Sequence, residues 1–305
     1  MTDRGPTRRR WLALAATLAL AACQTPPKPV VVVPPPVEPP PVAKPPARPP
    51  RIGLALGGGA ARGFAHIGVI QVLEENGIRP DFVVGTSAGS LVATLYASGK
   101  SGVELGTLAE SMDESAFTDW TFPGRGLIRG EGLARYVREQ TGGRHIEQMR
   151  IPLGIVATDL DSGQGILFQA GDAGVAVRAS SAVPAVFQPV RIGAREYVDG
   201  GLVAPVPVRY ARQMGAELVI AVDISAAPDG AATGDALRML LQTFAIMGRS
   251  INSFELREAD IVLRPKLASV GGADFGARKR SIQAGREAAQ AQLALLRDRI
   301  TAKTH

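Results

Sequence analysis

The sequence predicts an α/β domain with a mostly parallel central sheet and helices on both faces, a three-layer α/β/α arrangement. Three observations lead to it. The apolar run Ile52-Gly53-Leu54-Ala55-Leu56 passes through a glycine-rich loop into a helical pattern. A second run, Asp81-Phe82-Val83-Val84, passes through Gly85-Thr86-Ser87-Ala88-Gly89 into another helical pattern. With the two chain ends set aside, about 250 residues remain, within the range of one α/β domain, and the 46% apolar content suffices for its core.

The first 22 residues read as an export signal. Arg8-Arg9-Arg10 precede an apolar stretch from Trp11 to Ala22 that is too short to span a bilayer as a stable helix. It ends in Leu20-Ala21-Ala22-Cys23, which resembles the lipobox of bacterial lipoproteins. That resemblance implies cleavage before Cys23 and a diacylglycerol on its thiol. Cys23 is the only cysteine, so the mature chain would hold neither a free thiol nor a disulfide. Gln24 stands where an aspartate would resemble an inner-membrane retention signal, which favours the outer membrane, facing the periplasm. The segment Thr7 to Leu12 is also similar to a twin-arginine signal, so the export route stays open.

Of the formal net charge of +6, Arg4, Arg8, Arg9 and Arg10 against Asp3 supply +3, and cleavage would leave +3. No basic-aromatic stripe points to a nucleic-acid partner. Residues 25–50 are half proline. Proline fixes φ and removes the backbone donor, so this stretch reads as an extended polyproline II tether, on the order of 80 Å long. The folded domain is expected over residues 51–303.

Gly57-Gly58-Gly59-Ala60-Ala61-Arg62-Gly63 follows the first strand and precedes a helix through Val69, Ile70 and Leu73. Such a loop presents backbone N–H groups at the positive end of a helix dipole. A mononucleotide loop would need a Lys-Ser/Thr pair after Gly63, and a dinucleotide loop a glycine spacing that this loop lacks. An oxyanion hole is the best reading, given what lies one strand later.

There, Gly85-Thr86-Ser87-Ala88-Gly89 has the G-x-S-x-G pattern of a nucleophile elbow. The strand before it is Asp81–Val84, and the helix after it is expected from near Ser90, burying Leu91, Leu95 and Tyr96. A serine on such a turn can attack an ester, provided that a base activates it. The three histidines are poorly placed for this. His66 shares helical spacing with Val69, Ile70 and Leu73, His145 lies in a polar loop, and His305 ends the tail. The other candidate is Asp199 in Tyr197-Val198-Asp199-Gly200-Gly201, at the end of a short strand before two glycines. Its ordinary pKa of roughly 4 makes it a weak base unless the site raises it.

A glycine loop with an arginine, G-x-S-x-G and D-G-G, in this order and without a usable histidine, resembles the patatin-like phospholipase family. Ala157-Thr158-Asp159-Leu160 is similar to the family's A-T-D-L strand end. Arg178-Ala179-Ser180-Ser181-Ala182-Val183-Pro184 with Phe187-Gln188-Pro189 is similar to its R-A-S-x-A-x-P-x-x-F-x-P segment, and residues 275–289 to the closing helix of bacterial members. The resemblance implies a Ser–Asp dyad, with Ser87 as nucleophile and Asp199 as base. It implies an oxyanion hole from the amides of Gly58, Gly59 and Ala60. Gly57, Arg62, Gly63, Gly85, Gly89, Gly200 and Gly201 are its supporting positions. No cofactor and no metal are implied. The substrate would be a membrane phospholipid or lysophospholipid. Two other readings stay open: a general esterase or thioesterase, and a non-catalytic lipid-binding envelope protein. Two positions depart from the family pattern. Ala60 replaces a loop glycine, where a positive φ would cost more, and Ala204 stands where many members have asparagine.

Four further segments bear on lipid binding. Residues 101–150 hold Phe117, Trp120, Phe122 and Pro123, then a helical pattern through Leu133, Tyr136 and Val137; they read equally as a lid or as core cover. Leu237–Phe254 reads as a core helix, with Leu240, Leu241, Phe244, Met247, Ile251 and Phe254 on one side, and an acyl groove as the other reading. Ala288–Ile300 reads as one amphipathic helix, and Arg278-Lys279-Arg280 as a solvated patch.

Overall fold

Ile52, Leu54 and Leu56 join one apolar cluster and Ala55 joins another, so both faces of the first strand are apolar and need cover. The structure is a computed structural model and describes residues 48–113, 119, 125–226 and 234–304. The export segment, Cys23, the tether through residue 47, Phe117, Trp120, Phe122, Pro123 and His305 lie outside the described residues.

Strands β1 (Ile52–Leu56), β2 (Phe82–Thr86), β4 (Leu153–Asp159), β9 (Leu218–Val222) and β10 (Ile261–Leu263) run parallel in the order β10-β9-β1-β2-β4. Strands β5 (Gly165–Phe168), β7 (Val190–Ile192) and β8 (Arg195–Asp199) extend this sheet antiparallel. A separate pair joins β3 (Gly126–Ile128) to β6 (Ala185–Phe187). One face of the main sheet is covered by α1 (Phe64–Glu75), α2 (Ala88–Ala97), α3 (Gly102–Ser111) and, after β10, a helix over Arg278–Ala291. The other face packs on α6 (Val208–Gln213), through Val208, Tyr210 and Ala211. The described helices between these are α4 (Glu131–Thr141), α5 (Ala173–Ser180) and α7 (Ala236–Glu255), and the two after β10 are α8 (Arg278–Ala291) and α9 (Leu293–Ala302).

The register of β4 decides where the functional residues meet. Along one edge, β2 pairs as far as Thr86 opposite Val156. Strand β8 then pairs with Ala157, Thr158 and Asp159, placing Asp199 opposite Ala157. The opposite edge is taken by β5, which pairs from Ile155 to Thr158 and so overlaps both neighbours. So β8 occupies the stretch of edge that β2 vacates, and the chain leaves β2 at Ser87 beside the last residue of β8.

Several boundaries differ from the sequence reading. Helix α2 begins at Ala88 rather than near Ser90, because the elbow itself is the helix N-cap. The expected single helix over Ala288–Ile300 is interrupted at Gln292, and Ala289 and Leu296, on either side of the break, are both buried. Arg48 forks onto Glu217 (2.7 and 2.8 Å) and Pro50 is buried, so the end of the proline stretch already belongs to the fold. Helix α7 has the expected span but is not a core helix. Only Asn252 and Glu255 are buried in it, while Leu241, Met247 and Phe254 are exposed. It approaches the domain through polar side chains, and α6 is the helix that fills the sheet face. The Arg278–Arg280 patch is ion-paired rather than simply solvated: Lys279 lies 3.7 Å from Glu110 and Arg280 3.3 Å from Asp274.

Candidate active site

A strand must stop and a helix start within one residue at Ser87, which takes up φ 53° and ψ −125°. A side-chain residue in that conformation stores strain of order 1–3 kcal/mol. The neighbours are glycines because nothing larger fits. A Cβ on Gly89 would lie 2.1 Å from the Leu56 carbonyl oxygen, and one on Gly85 would lie 2.4 Å from that of Gly89. The Ser87 N–H donates to Ser180 Oγ (2.9 Å), and the Ser180 hydroxyl donates in turn to the Val156 carbonyl (2.6 Å). Next door, Thr86 Oγ1 donates to the carbonyl of Ala204 (2.9 Å). The elbow is thus fixed by sterics on one side and a buried hydroxyl bridge on the other.

Asp199 ends β8. Its N–H donates to Ala182 O (2.9 Å), its carbonyl accepts from Thr158 Oγ1 (2.8 Å), and its Oδ1 accepts from the Gly201 N–H (2.6 Å). Gly200 packs on β4 so closely that a Cβ would sit 2.2 Å from the Val156 carbonyl oxygen. The remaining carboxylate oxygen, Oδ2, accepts from Ser87 Oγ at 2.7 Å. Burial pushes the Asp199 carboxyl up to about 6, outweighing the opposite pull of the Ser87 hydroxyl and the Gly201 amide. A carboxylate in that range can take a proton near neutral pH.

The glycine loop lies over this pair. The Gly57 N–H donates to Val222 O (3.1 Å), and a Cβ on Gly58 would lie 3.1 Å from the Ser87 Cβ. Of the three amides expected to meet an oxyanion, that of Gly58 is already committed to the Pro205 carbonyl (2.8 Å), which ties the loop down. Those of Gly59 and Ala60 have no acceptor among the described residues. Ala60 has a φ of 50°, so the strain that a glycine would avoid is present here. Gly63 begins α1 against Ala88, where a Cβ would come within 2.9 Å of that side chain. Arg62 is partly buried, which lowers its pKa, and its Nε has no hydrogen-bond partner among the described residues.

His66 is fully buried, as its spacing implied, and its Nε2 lies 2.8 Å from the Gly57 carbonyl. The carbonyl can only accept, so Nε2 carries the proton. Burial lowers the ring pKa to about 4, keeping it neutral. His66 therefore braces the glycine loop. His145 is exposed and pairs with Glu147 (3.5 Å). Among the described residues, Asp199 is the side chain that accepts from the Ser87 hydroxyl. Ser180 and Thr158 were not singled out by sequence reasoning. Both fall inside segments quoted for the family resemblance, but neither spacing nor periodicity marks a hydroxyl as a brace.

A narrow apolar cleft of about 70 Å³ lies beside the loop, between α1, α2 and α3. Ala60, Ala88, Leu91, Leu95, Leu105 and Leu108 are among its walls. The helix through Leu133, Tyr136 and Val137 forms as expected, and Tyr136 reaches this cleft. Helix α7 does not line it.

The model of the patatin-like phospholipase family matches residues 54–212. An uncharacterized NTE family protein of Mycobacterium tuberculosis is 38% identical over 186 residues, covering 60% of this chain and 51% of that protein. Lysophospholipase NTE1 of Coccidioides immitis is 32% identical over 189 residues, covering 60% of this chain and 12% of that protein. The chain spans about half the length of the first curated relatives it matches. Among solved structures, VipD from Legionella pneumophila shares the fold, with a TM-score of 0.56 at 15% identity over 81% of this chain and 67% of that one.

Proposed function

Because the chain belongs to the patatin-like phospholipase family, we propose that it is a serine acyl hydrolase that cleaves acyl esters of membrane phospholipids or lysophospholipids through a Ser87–Asp199 dyad. The observation that carries this reading is the 2.7 Å contact between Ser87 Oγ and a buried Asp199 carboxylate whose pKa is raised to about 6. In the proposed reaction, Asp199 accepts the Ser87 proton as Oγ attacks the ester carbonyl. The amides of Gly59 and Ala60, with the N-terminus of α2, stabilise the negative charge that develops on the carbonyl oxygen. Collapse of the tetrahedral intermediate expels the alcohol, which takes the proton from Asp199. Water then adds to the acyl-enzyme by the same route and releases the fatty acid. The apolar cleft beside Ala60 and Ala88 supports an acyl chain as the group held next to the serine.

The same reading includes the chain's position. Cleavage before Cys23 and lipidation of its thiol would anchor the protein in the envelope, with the proline-rich segment as spacer, and the lipobox-like Leu20–Cys23 is what supports this. A fluorophosphonate probe tests the nucleophile: it should label the wild-type chain and leave folded Ser87→Ala unlabelled. Absence of label on folded wild type would overturn the hydrolase reading. An unmodified Cys23 in the mature chain, read by mass spectrometry, would overturn the anchor.

A further inference from the structure

Helix α7 has the amphipathic pattern of a core helix, yet Leu240, Phe244 and Ile251 of its apolar side are only half-buried and other large apolar side chains face outward. Met239, Ile246, Met247 and Phe254, on the side away from Gly248 and Asn252, are between 45% and 65% exposed. Among the described residues, Arg249 makes neither an ion pair nor a hydrogen bond, and Arg257 lies over the Phe254 ring, 5.2 Å from its centroid. Between Ala236 and Phe254 the helix carries Arg238 and Arg249 and no carboxylate. Asp235 caps its N-terminus and pairs with Arg238 (3.4 Å), and Glu255 turns inward onto Arg209 (2.9 Å). Glu258, in the turn that follows, is the exposed carboxylate at the far end.

The inner side of the helix is fastened to the segment that follows Asp199. The Val206 N–H donates to Asn252 Oδ1 (3.2 Å), and Asn252 Nδ2 donates to Ser225 Oγ (2.9 Å). The Arg209 N–H donates to Glu255 Oε1 (2.8 Å), and Gly248 packs against Pro205. Pro205 is the residue whose carbonyl holds the Gly58 amide. So one face of α7 grips the strip that supports the site, and the other offers apolar side chains with a free cation.

We propose that α7 is an interfacial helix: its outward stripe enters the headgroup–acyl boundary of a phospholipid surface, moors the site-bearing strip there, and Arg249 meets anionic headgroups. This rests on the acyl-lipid reading for its purpose, though not for its test. An amphipathic helix with large apolar side chains on one face and arginine beside them lies in a membrane interface. No described helix is long and apolar enough to cross the membrane. A second copy of the chain is the poorer occupant, because four side chains on one helix fall short of the ~800 Å² per partner that a standard interface buries.

The test uses the full chain carrying Cys23→Ser, so that no lipid anchor contributes. It is sedimented with vesicles of phosphatidylcholine, with and without phosphatidylglycerol, and is also assayed on a monomeric short-chain ester. The parent should sediment with vesicles. Ile246→Asp with Met247→Asp should lower its partitioning at least about tenfold, as should Phe254→Asp alone. Ester turnover should stay within about twofold. Arg249→Gln should lose only the increment due to phosphatidylglycerol. A parent that ignores vesicles, or charged variants that sediment like it, would overturn the proposal. So would a parent that is dimeric without vesicles and variants that are monomeric. Helix-dependent sedimentation without ester turnover in the parent would uphold the surface and sink the hydrolase reading.

Discussion

Ser87 stands at the end of the parallel half of the sheet and Asp199 at the end of the antiparallel half, and the two halves hold their residues by different means. On the serine side, Gly85 and Gly89 leave no room for any other path, and the backbone is forced to φ 53°. On the aspartate side the constraint is polar: Thr158, Ala182 and Gly201 each make a hydrogen bond to Asp199. Steric exclusion is local and all-or-none. Hydrogen bonds are graded, and removing one typically costs about 1 kcal/mol. The site therefore joins an arm that fails abruptly to an arm that can be tuned.

The largest expected effect comes from the aspartate arm. Asp199→Asn keeps the shape but removes the proposed base, so kcat should fall by roughly 10²–10⁴, with fluorophosphonate labelling slowed alongside it. The wild-type rate should fall on acidification through about pH 6, as Asp199 protonates. Stability should move the other way. The fold holds this proton more tightly than the unfolded chain, whose carboxyl titrates near 4, so wild-type stability declines as pH rises from about 4 to about 6. The asparagine variant escapes that loss. By urea unfolding it should be more stable than wild type by of order 2 kcal/mol at pH 7.5, with the gap closing below about pH 4. A pH-independent gap would mean that burial does not govern Asp199.

Gly89→Ala probes the steric arm. Its methyl would meet the Leu56 carbonyl oxygen at 2.1 Å, a fixed backbone atom that cannot swing aside, so a destabilisation of about 3 kcal/mol or more is expected by thermal unfolding. The smallest effect belongs to Thr158→Val, which removes the hydroxyl held on the Asp199 carbonyl. It should cost about 1 kcal/mol and lower kcat more than it raises KM. If Gly89→Ala proved as mild as Thr158→Val, the contrast between the two arms would collapse.

The same contrast explains what could be read from the residues alone. The elbow is five consecutive residues, its demand for small neighbours is local, and so Ser87 was legible. Asp199 lies 112 residues away from it, and pairs with Ser87 only through the register of β8 on β4. A bare D-G-G is an ordinary turn, and it took the want of a histidine and the family resemblance to single it out. The commitment of the Gly58 amide to Pro205 was illegible for the same reason: a glycine loop advertises its donors but not which distant carbonyl will claim one. Helix α7 shows the limit of periodicity. Spacing says which side chains share a face; whether another element covers that face depends on the space left in three dimensions. Here α6 had taken the sheet, and the stripe remained outside.

The succession of β2 and β8 along one edge of β4 also sets when the proposed dyad can form. During synthesis Ser87 emerges long before Asp199, and pairing β2 with β4 completes the elbow without supplying a base. Only when the chain has been made past residue 199 and β8 has docked does the hydroxyl acquire its partner. On that reading, a nascent chain, or one passing unfolded through an export channel if the proposed export holds, would carry an inert serine. On the proposed hydrolase reading, a protein built this way would not threaten the membrane of the cell that makes it until its sheet is finished.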